Sequence, residues 1–178
     1  MNKNLLIMTE MPQYFVNLAD KNFNTHKLWM QNNEDQYLLE IKEKVDAIAV
    51  MGGYKITPSL MKSMRNLKII ACYGVGYDAI DINHAKSLGI NVTNTPEVLN
   101  DEVADTAIAL MLCVYKQIIS ADNFARANYW VNGEFPLTKK FTGTKLGIVG
   151  MGRIGKAIAK RAEAFDNRFQ SCNEVITI

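Results

Sequence analysis

Short apolar runs alternate with stretches of helical periodicity along most of this chain, and that alternation narrows the choice of fold more than any other feature. Leu5 to Met8 is followed by a helical stretch after Pro12, Phe23 to Trp29 by Glu34 to Lys44, and Ala47 to Met51 by Pro58 to Met64. Lys68 to Tyr73 then precedes Ile82 to Leu88, and Ile90 to Thr93 precedes a long helix from about Asp101. Strands separated by helices at this spacing are βαβ units, whose crossovers cover a parallel sheet with helices. Residues 1–97 therefore read as an α/β domain of flavodoxin-like type.

The long helix is expected to start with Asn100 as N-cap, with Asp101 and Glu102 in a first turn where the helix dipole favours acidic groups. Val103, Ala107, Met111 and Val114 would form its buried stripe. A further helix is expected within Ile119 to Tyr129. Asn132-Gly133 and Pro136 then break the pattern before a new strand, Lys145 to Val149. A second α/β unit begins there, so the chain divides into residues 1–97 and 98–178.

Composition excludes several classes of partner. A chain with 48% apolar and 21% charged residues can bury a core, and a net charge of +2 without a long run of either sign leaves no footprint for nucleic acid or an anionic membrane. Cys72, Cys113 and Cys172 lack metal-ligand spacing, and the first two sit in apolar runs where a thiol acts as a small core residue. No metal site is expected. Leu5 to Met8 is too short for a signal peptide's apolar segment, and Ala107 to Val114 is too short for a membrane span. The expectation is a cytoplasmic protein.

The strand Leu146 to Val149 runs directly into Gly150-Met151-Gly152-Arg153-Ile154-Gly155. A helix follows with Ile154, Ile158, Ala162 and Phe165 on one face. Strand, G-x-G-x-x-G and helix in this order form a dinucleotide-binding pattern. Gly150 would make the tight turn, Gly152 would let backbone approach a pyrophosphate, and Gly155 would let helix and sheet pack closely. The phosphates would lie at the helix N-terminus, where Arg153 and the unpaired N–H groups of the first turn, Ile154 among them, are available. Two plainer roles stay open: a turn that serves packing alone, and an Arg153 that is simply solvated. The acidic residue expected about 20 positions on, to hold the ribose, has no clear match. Glu174 is near that distance but precedes its apolar stretch, so NAD and NADP both remain open.

Four ordered segments together resemble the D-isomer-specific 2-hydroxyacid dehydrogenase family. They are Lys68-Ile69-Ile70-Ala71-Cys72-Tyr73-Gly74-Val75-Gly76-Tyr77-Asp78-Ala79-Ile80-Asp81, Gly89-Ile90-Asn91-Val92-Thr93-Asn94-Thr95-Pro96, Glu102-Val103-Ala104-Asp105-Thr106-Ala107 and Gly147 to Gly155. The stretch Leu137-Thr138-Lys139-Lys140-Phe141-Thr142-Gly143 is most similar to the glyoxylate, hydroxypyruvate and hydroxyphenylpyruvate reductase branch. The resemblance implies a flavodoxin-like substrate domain, then an interdomain helix and the first βα unit of a Rossmann domain.

It also implies NAD or NADP as cofactor and a small 2-keto or 2-hydroxy acid as substrate. Val75 and Gly76 would bind the substrate carboxylate through backbone N–H groups, and Thr106 would lie near the nicotinamide. Read without the family, Gly74-Val75-Gly76 is just a flexible turn after a strand, and Thr106 reads equally as a hydroxyl bonded back to its own helix. A homodimer through the region of the long helix is implied as well.

Family chemistry uses a histidine acid, a carboxylate that holds its pKa and an arginine that polarises the keto acid, all from the distal part of the nucleotide domain. This sequence ends at Ile178, and its two histidines, His26 and His84, match no catalytic motif. Each is expected at a surface or helix face, so no catalytic residue is assigned. From Asn167 to Ile178 the family pattern is lost, as a shifted reading frame or premature stop would produce, and no strand is expected there. The enzyme expectation is thus of a remnant with little activity alone. The alternative is a non-catalytic nucleotide-binding protein of the same fold, like the co-repressors that share it.

Overall fold

The computed structural model describes residues 2–172, for residues 169–172 by their backbone alone. It divides into two compact units, Met1–Pro96 and Glu97–Ile178.

Unit one is a parallel sheet of β1 (Asn4–Ile7), β2 (Asn24–Lys27), β3 (Ala47–Met51), β4 (Ile69–Tyr73) and β5 (Asn91–Thr93), in the order β2-β1-β3-β4-β5. That is the flavodoxin-like order. The connecting helices are α1 (Gln13–Asn22), α2 (Glu34–Ile41), α3 (Pro58–Ser63) and α4 (Ile82–Ser87). Successive strand side chains point to opposite faces, and the core follows that alternation. Leu6, Ile48, Val50, Ile70 and Cys72 pack on one face with Ile41, Met61 and Ala85, while Leu5, Ile7 and Ala49 pack on the other with Val16 and Ala19 of α1. Helix starts are set by side-chain oxygens: Asn33, Thr57 and Asp81 accept from Gln36, Leu60 and His84 N–H, and Pro58 supplies a fixed first-turn φ. The apolar run expected as a strand to Trp29 leaves the sheet after Lys27 and forms a short 3₁₀ turn, Leu28–Met30, with Leu28 buried.

Unit two contains α5 (Asn100–Lys116), α6 (Ile118–Arg126), a 3₁₀ turn at Tyr129–Val131, β6 (Lys145–Val149), α7 (Arg153–Glu163) and β7 (Arg168–Cys172). Several expectations change here. Leu99, not Asn100, is the N-cap of α5, and its carbonyl accepts from Val103 N–H, so Asn100 is already inside the helix. The buried face of α5 is Ala104 and Ile108, whereas Val103 and Val114 of the expected stripe are 38% and 74% exposed. The reason is α7, which packs on α5 and buries the small residues Gly155, Ala159 and Ala162. Small residues on both helices permit close approach; Ile154, Ile158 and Phe165 are only half-buried.

Where no strand was expected, β7 pairs in parallel with β6, from Lys145↔Arg168 to Val149↔Cys172. Regular structure therefore continues past α7, as a βαβ unit instead of a lone βα unit. Phe141, 2% exposed, joins this unit to α5 by edge-on contacts with Tyr115 and Phe165 at 5.2 and 5.1 Å. Asn167 Oδ1 accepts from Thr144 N–H at 2.9 Å beside the start of β6. No single helix among the described residues is long and apolar enough to cross a membrane.

Candidate functional site

Strand order reverses between β1 and β3, and open α/β sheets bind ligands outside the carboxyl ends of their strands at such a point. The loop leaving β4 at that end is Gly74-Val75-Gly76. Tyr73, just before it, is held to α1: its hydroxyl hydrogen-bonds that of Tyr14, and its ring stands edge-on to Phe15 at 6.2 Å. Gly52 N–H donates to the Tyr73 carbonyl at 3.1 Å. A methyl group on Gly74 would lie 3.1 Å from Gly52 Cα and 3.3 Å from Gly52 N, so two backbones meet where a side chain has little room.

Three donors hold the loop's carbonyls. Thr95 N–H donates to Gly74 O at 3.0 Å, the Asn94 side-chain amide to Val75 O at 2.8 Å, and Cys72 Sγ to Gly76 O at 3.4 Å. Cys72 is buried and burial pushes its thiol up, which keeps it protonated and able to donate. The N–H groups of Val75 and Gly76 have no acceptor among the described residues. Two adjacent unpaired N–H groups make a concavity suited to an anion. The Asp78 carboxylate borders it, 3.6 Å from where a Gly76 Cβ would stand.

In unit two, Gly150 follows β6 with φ +90°, a backbone state that side-chain-bearing residues rarely adopt. A Cβ on Gly155 would fall 2.2 Å from the Gly150 carbonyl oxygen, whereas one on Gly152 would meet nothing within 4 Å. The turn is thus closed on the Gly155 side and open on the Gly152 side. Gly152 is the N-cap of α7 and offers no capping side chain, and the first turn holds no acidic residue. Lys156 N–H makes the first intrahelical bond, to Gly152 O, which leaves the N–H groups of Arg153, Ile154 and Gly155 without helical partners. Such a terminus fits a phosphate, and the residues that would hold a dinucleotide here are Gly150, Gly152, Arg153, Ile154 and Gly155.

The Arg153 side chain is exposed, as its plainer reading had it, and its guanidinium pairs at the surface with Glu97 at 2.7 Å; Glu97 has φ +70°. Thr106 lines an open hollow of about 340 Å³ on α5 with Glu102, Val103, Ala107 and Leu110. Its hydroxyl has no hydrogen-bond partner among the described residues.

Among the described residues no cluster of three or more His, Cys, Asp or Glu could hold a metal. His26 lies on β2, bonded to Tyr37 and Asn4, and His84 is half-buried on α4 with an unpartnered Nε2. Cys72 is a core residue, Cys113 is half-buried, and Cys172 is described by its backbone alone. Glu174, with the apolar stretch after it, lies outside the described residues. Sequence reasoning missed Asn94, Gly52 and Glu97. Asn94 carried one signal, a polar residue directly after a strand and before Thr-Pro.

Comparison with known proteins places these features in a family. Residues 5–176 match the family model described as D-isomer specific 2-hydroxyacid dehydrogenase, catalytic domain. The chain is 40% identical over 161 residues to glyoxylate/hydroxypyruvate reductase A of Arabidopsis thaliana, covering 90% of this chain and 51% of that protein. It is 42% identical over 173 residues to glyoxylate reductase of Thermococcus litoralis, covering 93% and 52%. A 2-hydroxyacid dehydrogenase from Ketogulonicigenium vulgare superposes with a TM-score of 0.91 at 35% identity, over 96% of this chain and 54% of that one. The NADPH-dependent glyoxylate/hydroxypyruvate reductase of Sinorhizobium meliloti, in complex with NADP and malonate, superposes with a TM-score of 0.80 at 32% identity, over 100% and 56%. The chain spans about half the length of the curated relatives it matches. By its sequence match and its fold, the chain belongs to the D-isomer-specific 2-hydroxyacid dehydrogenase family.

Proposed function

We propose that this chain carries the carboxylate loop and the dinucleotide turn of an NAD(P)-dependent oxidoreductase that reduces a small 2-keto acid such as glyoxylate or hydroxypyruvate. The observation that carries this reading is the pair of unpaired N–H groups of Val75 and Gly76, presented at the carboxyl end of β4. In this reading Met1–Pro96 is the substrate domain and Glu97–Ile178 the helix and nucleotide-binding portion. Val75 and Gly76 hold the carboxylate of the keto acid. Gly150, Gly152, Arg153, Ile154 and Gly155 hold the pyrophosphate of NAD or NADP, and Thr106 borders the nicotinamide. When bound, the nicotinamide supplies a hydride to the keto carbon, and the protein's part is positioning and charge. The histidine acid, its carboxylate and the keto-acid arginine belong, by resemblance, to the part of the family this chain does not span. Turnover by this chain alone is therefore not expected. Exposed Val114, Ile118 and Ile119, at the end of α5 and the start of α6, support a homodimer through that face, and the compartment proposed is the cytoplasm.

Fluorescence titration of the full chain with NADH and NADPH, followed by glyoxylate and hydroxypyruvate, tests this. Saturable nucleotide binding without cofactor oxidation is the expected result. Absence of binding would overturn the assignment of the turn, and oxidation on adding keto acid would show that residues already in this chain supply the acid.

A further inference from the structure

We propose that Asn94 is a positioning residue for the Val75–Gly76 anion site, aiming the Gly76 N–H by holding the Val75 carbonyl; this rests on taking that loop as the carboxylate site. A trans peptide unit is planar, with its C=O and N–H pointing in opposite directions. Whatever tethers one residue's carbonyl therefore sets the direction of the next residue's N–H. The Val75 carbonyl accepts from the Asn94 amide at 2.8 Å, which turns the Gly76 N–H to the opposite side. By the same rule Thr95 N–H, donating to Gly74 O at 3.0 Å, aims the Val75 N–H. The two tethers differ in kind. Thr95 acts through backbone and survives any side-chain change other than to proline, whereas Asn94 acts through its side chain alone.

Register explains why Asn94 can reach. β5 pairs with β4 as Ile69↔Asn91 and Ala71↔Thr93, so one step further Asn94 comes level with Cys72, whose thiol holds the next carbonyl, that of Gly76. Gly76 is permissive in both φ directions, so the Val75–Gly76 peptide has no side-chain barrier of its own on that side. If that peptide turned over, a carbonyl oxygen would replace the N–H and repel the anion the site is meant to hold. Asn94 supplies the direction that glycine does not.

The test is a titration of the isotope-labelled full chain with sodium glyoxylate, monitoring the Val75 and Gly76 amide resonances in wild type, N94L and N94D. Asparagine's amide donates to the Val75 carbonyl, leucine cannot, and ionised aspartate would repel it. In wild type both amides should respond. Both variants should bind glyoxylate about tenfold more weakly, the effect of one lost hydrogen bond. Their Gly76 resonance should lose its response while Val75 keeps one, with the remaining amide resonances still those of the folded chain. A merely structural role would move both amides together. If N94L loses the folded amide pattern, N94D, which keeps the size of asparagine, decides. Wild-type affinity with both amides responding in N94D would overturn the role of Asn94 and leave the proposed function standing. No response of either amide in wild type would overturn both.

Discussion

His26 illustrates how a single ring can report on its surroundings through pH. Its Nδ1 is 3.0 Å from the Tyr37 hydroxyl and its Nε2 is 3.1 Å from Asn4 Oδ1. The Asn24 amide also donates to Asn4 Oδ1, at 2.7 Å, so that oxygen is an acceptor; Nε2 carries the proton and Nδ1 accepts from Tyr37. Burial first, and then Lys44, push the His26 pKa down. Below the unfolded value of about 6.5 the unfolded chain binds more protons than the folded one, so stability falls as pH falls toward the folded value. Urea unfolding across that window should show this loss in wild type and a flatter profile in H26Q, and equal slopes would sink the assignment. Glycine replacements in the dinucleotide turn divide packing from ligand approach. Gly155→Ala forces a Cβ onto the Gly150 carbonyl at 2.2 Å. It should lower stability by about 1–3 kcal/mol and remove nucleotide binding. Gly152→Ala meets nothing within 4 Å and should leave the unfolding midpoint nearly unchanged while weakening NADH and NADPH binding, both read in one fluorescence series.

At the scale of elements, α5 and α7 approach through small side chains. Ala104 and Ala162 are fully buried, and Arg161 of α7 reaches Asp101 at 3.0 Å and also Asp105, one turn apart on α5. Ala104→Leu should therefore overpack the contact and cost about 1–3 kcal/mol, whereas Val103→Leu, on the exposed side, should be near neutral; chemical denaturation of the two variants compares them. This contact also shows why part of the fold was hidden in the sequence. The strands of unit one were legible because burial on both sheet faces makes them short, dense apolar runs such as Ala47 to Met51. In α5, Ala104, Ala107, Ile108, Ala109, Leu110, Leu112 and Cys113 place apolar groups all round, so periodicity could not select the buried face; the small residues of α7 select it. β7, with the sequence Arg-Phe-Gln-Ser-Cys, has almost no apolar signature and is a strand because β6 offers it a ladder. The glycines of the two loops were readable because their chemistry demands a missing side chain. Asn94 was not, because a hydrogen bond to a distant carbonyl leaves no mark on local sequence.

For the molecule as a whole, the division into Met1–Pro96 and Glu97–Ile178 sets what can be expected of each part. Both apolar clusters on the first unit's sheet are built from residues before Glu97, from Leu5 through Ile90, and each covers its own face. A domain of this size can bury enough surface to fold alone. The groups that shape the anion loop, Gly52, Cys72, Tyr73, Asp78, Asn94 and Thr95, belong to the same unit. Residues 1–96 expressed alone should therefore unfold in one cooperative urea transition, with tryptophan fluorescence of Trp29 and far-ultraviolet dichroism giving the same midpoint. Their Val75 and Gly76 amides should respond to glyoxylate as they do in the full chain. A broad, probe-dependent transition would mean that this unit draws its stability from outside itself. A cooperative fold whose two amides ignore glyoxylate, while those of the full chain respond, would mean that the anion site needs groups beyond Pro96.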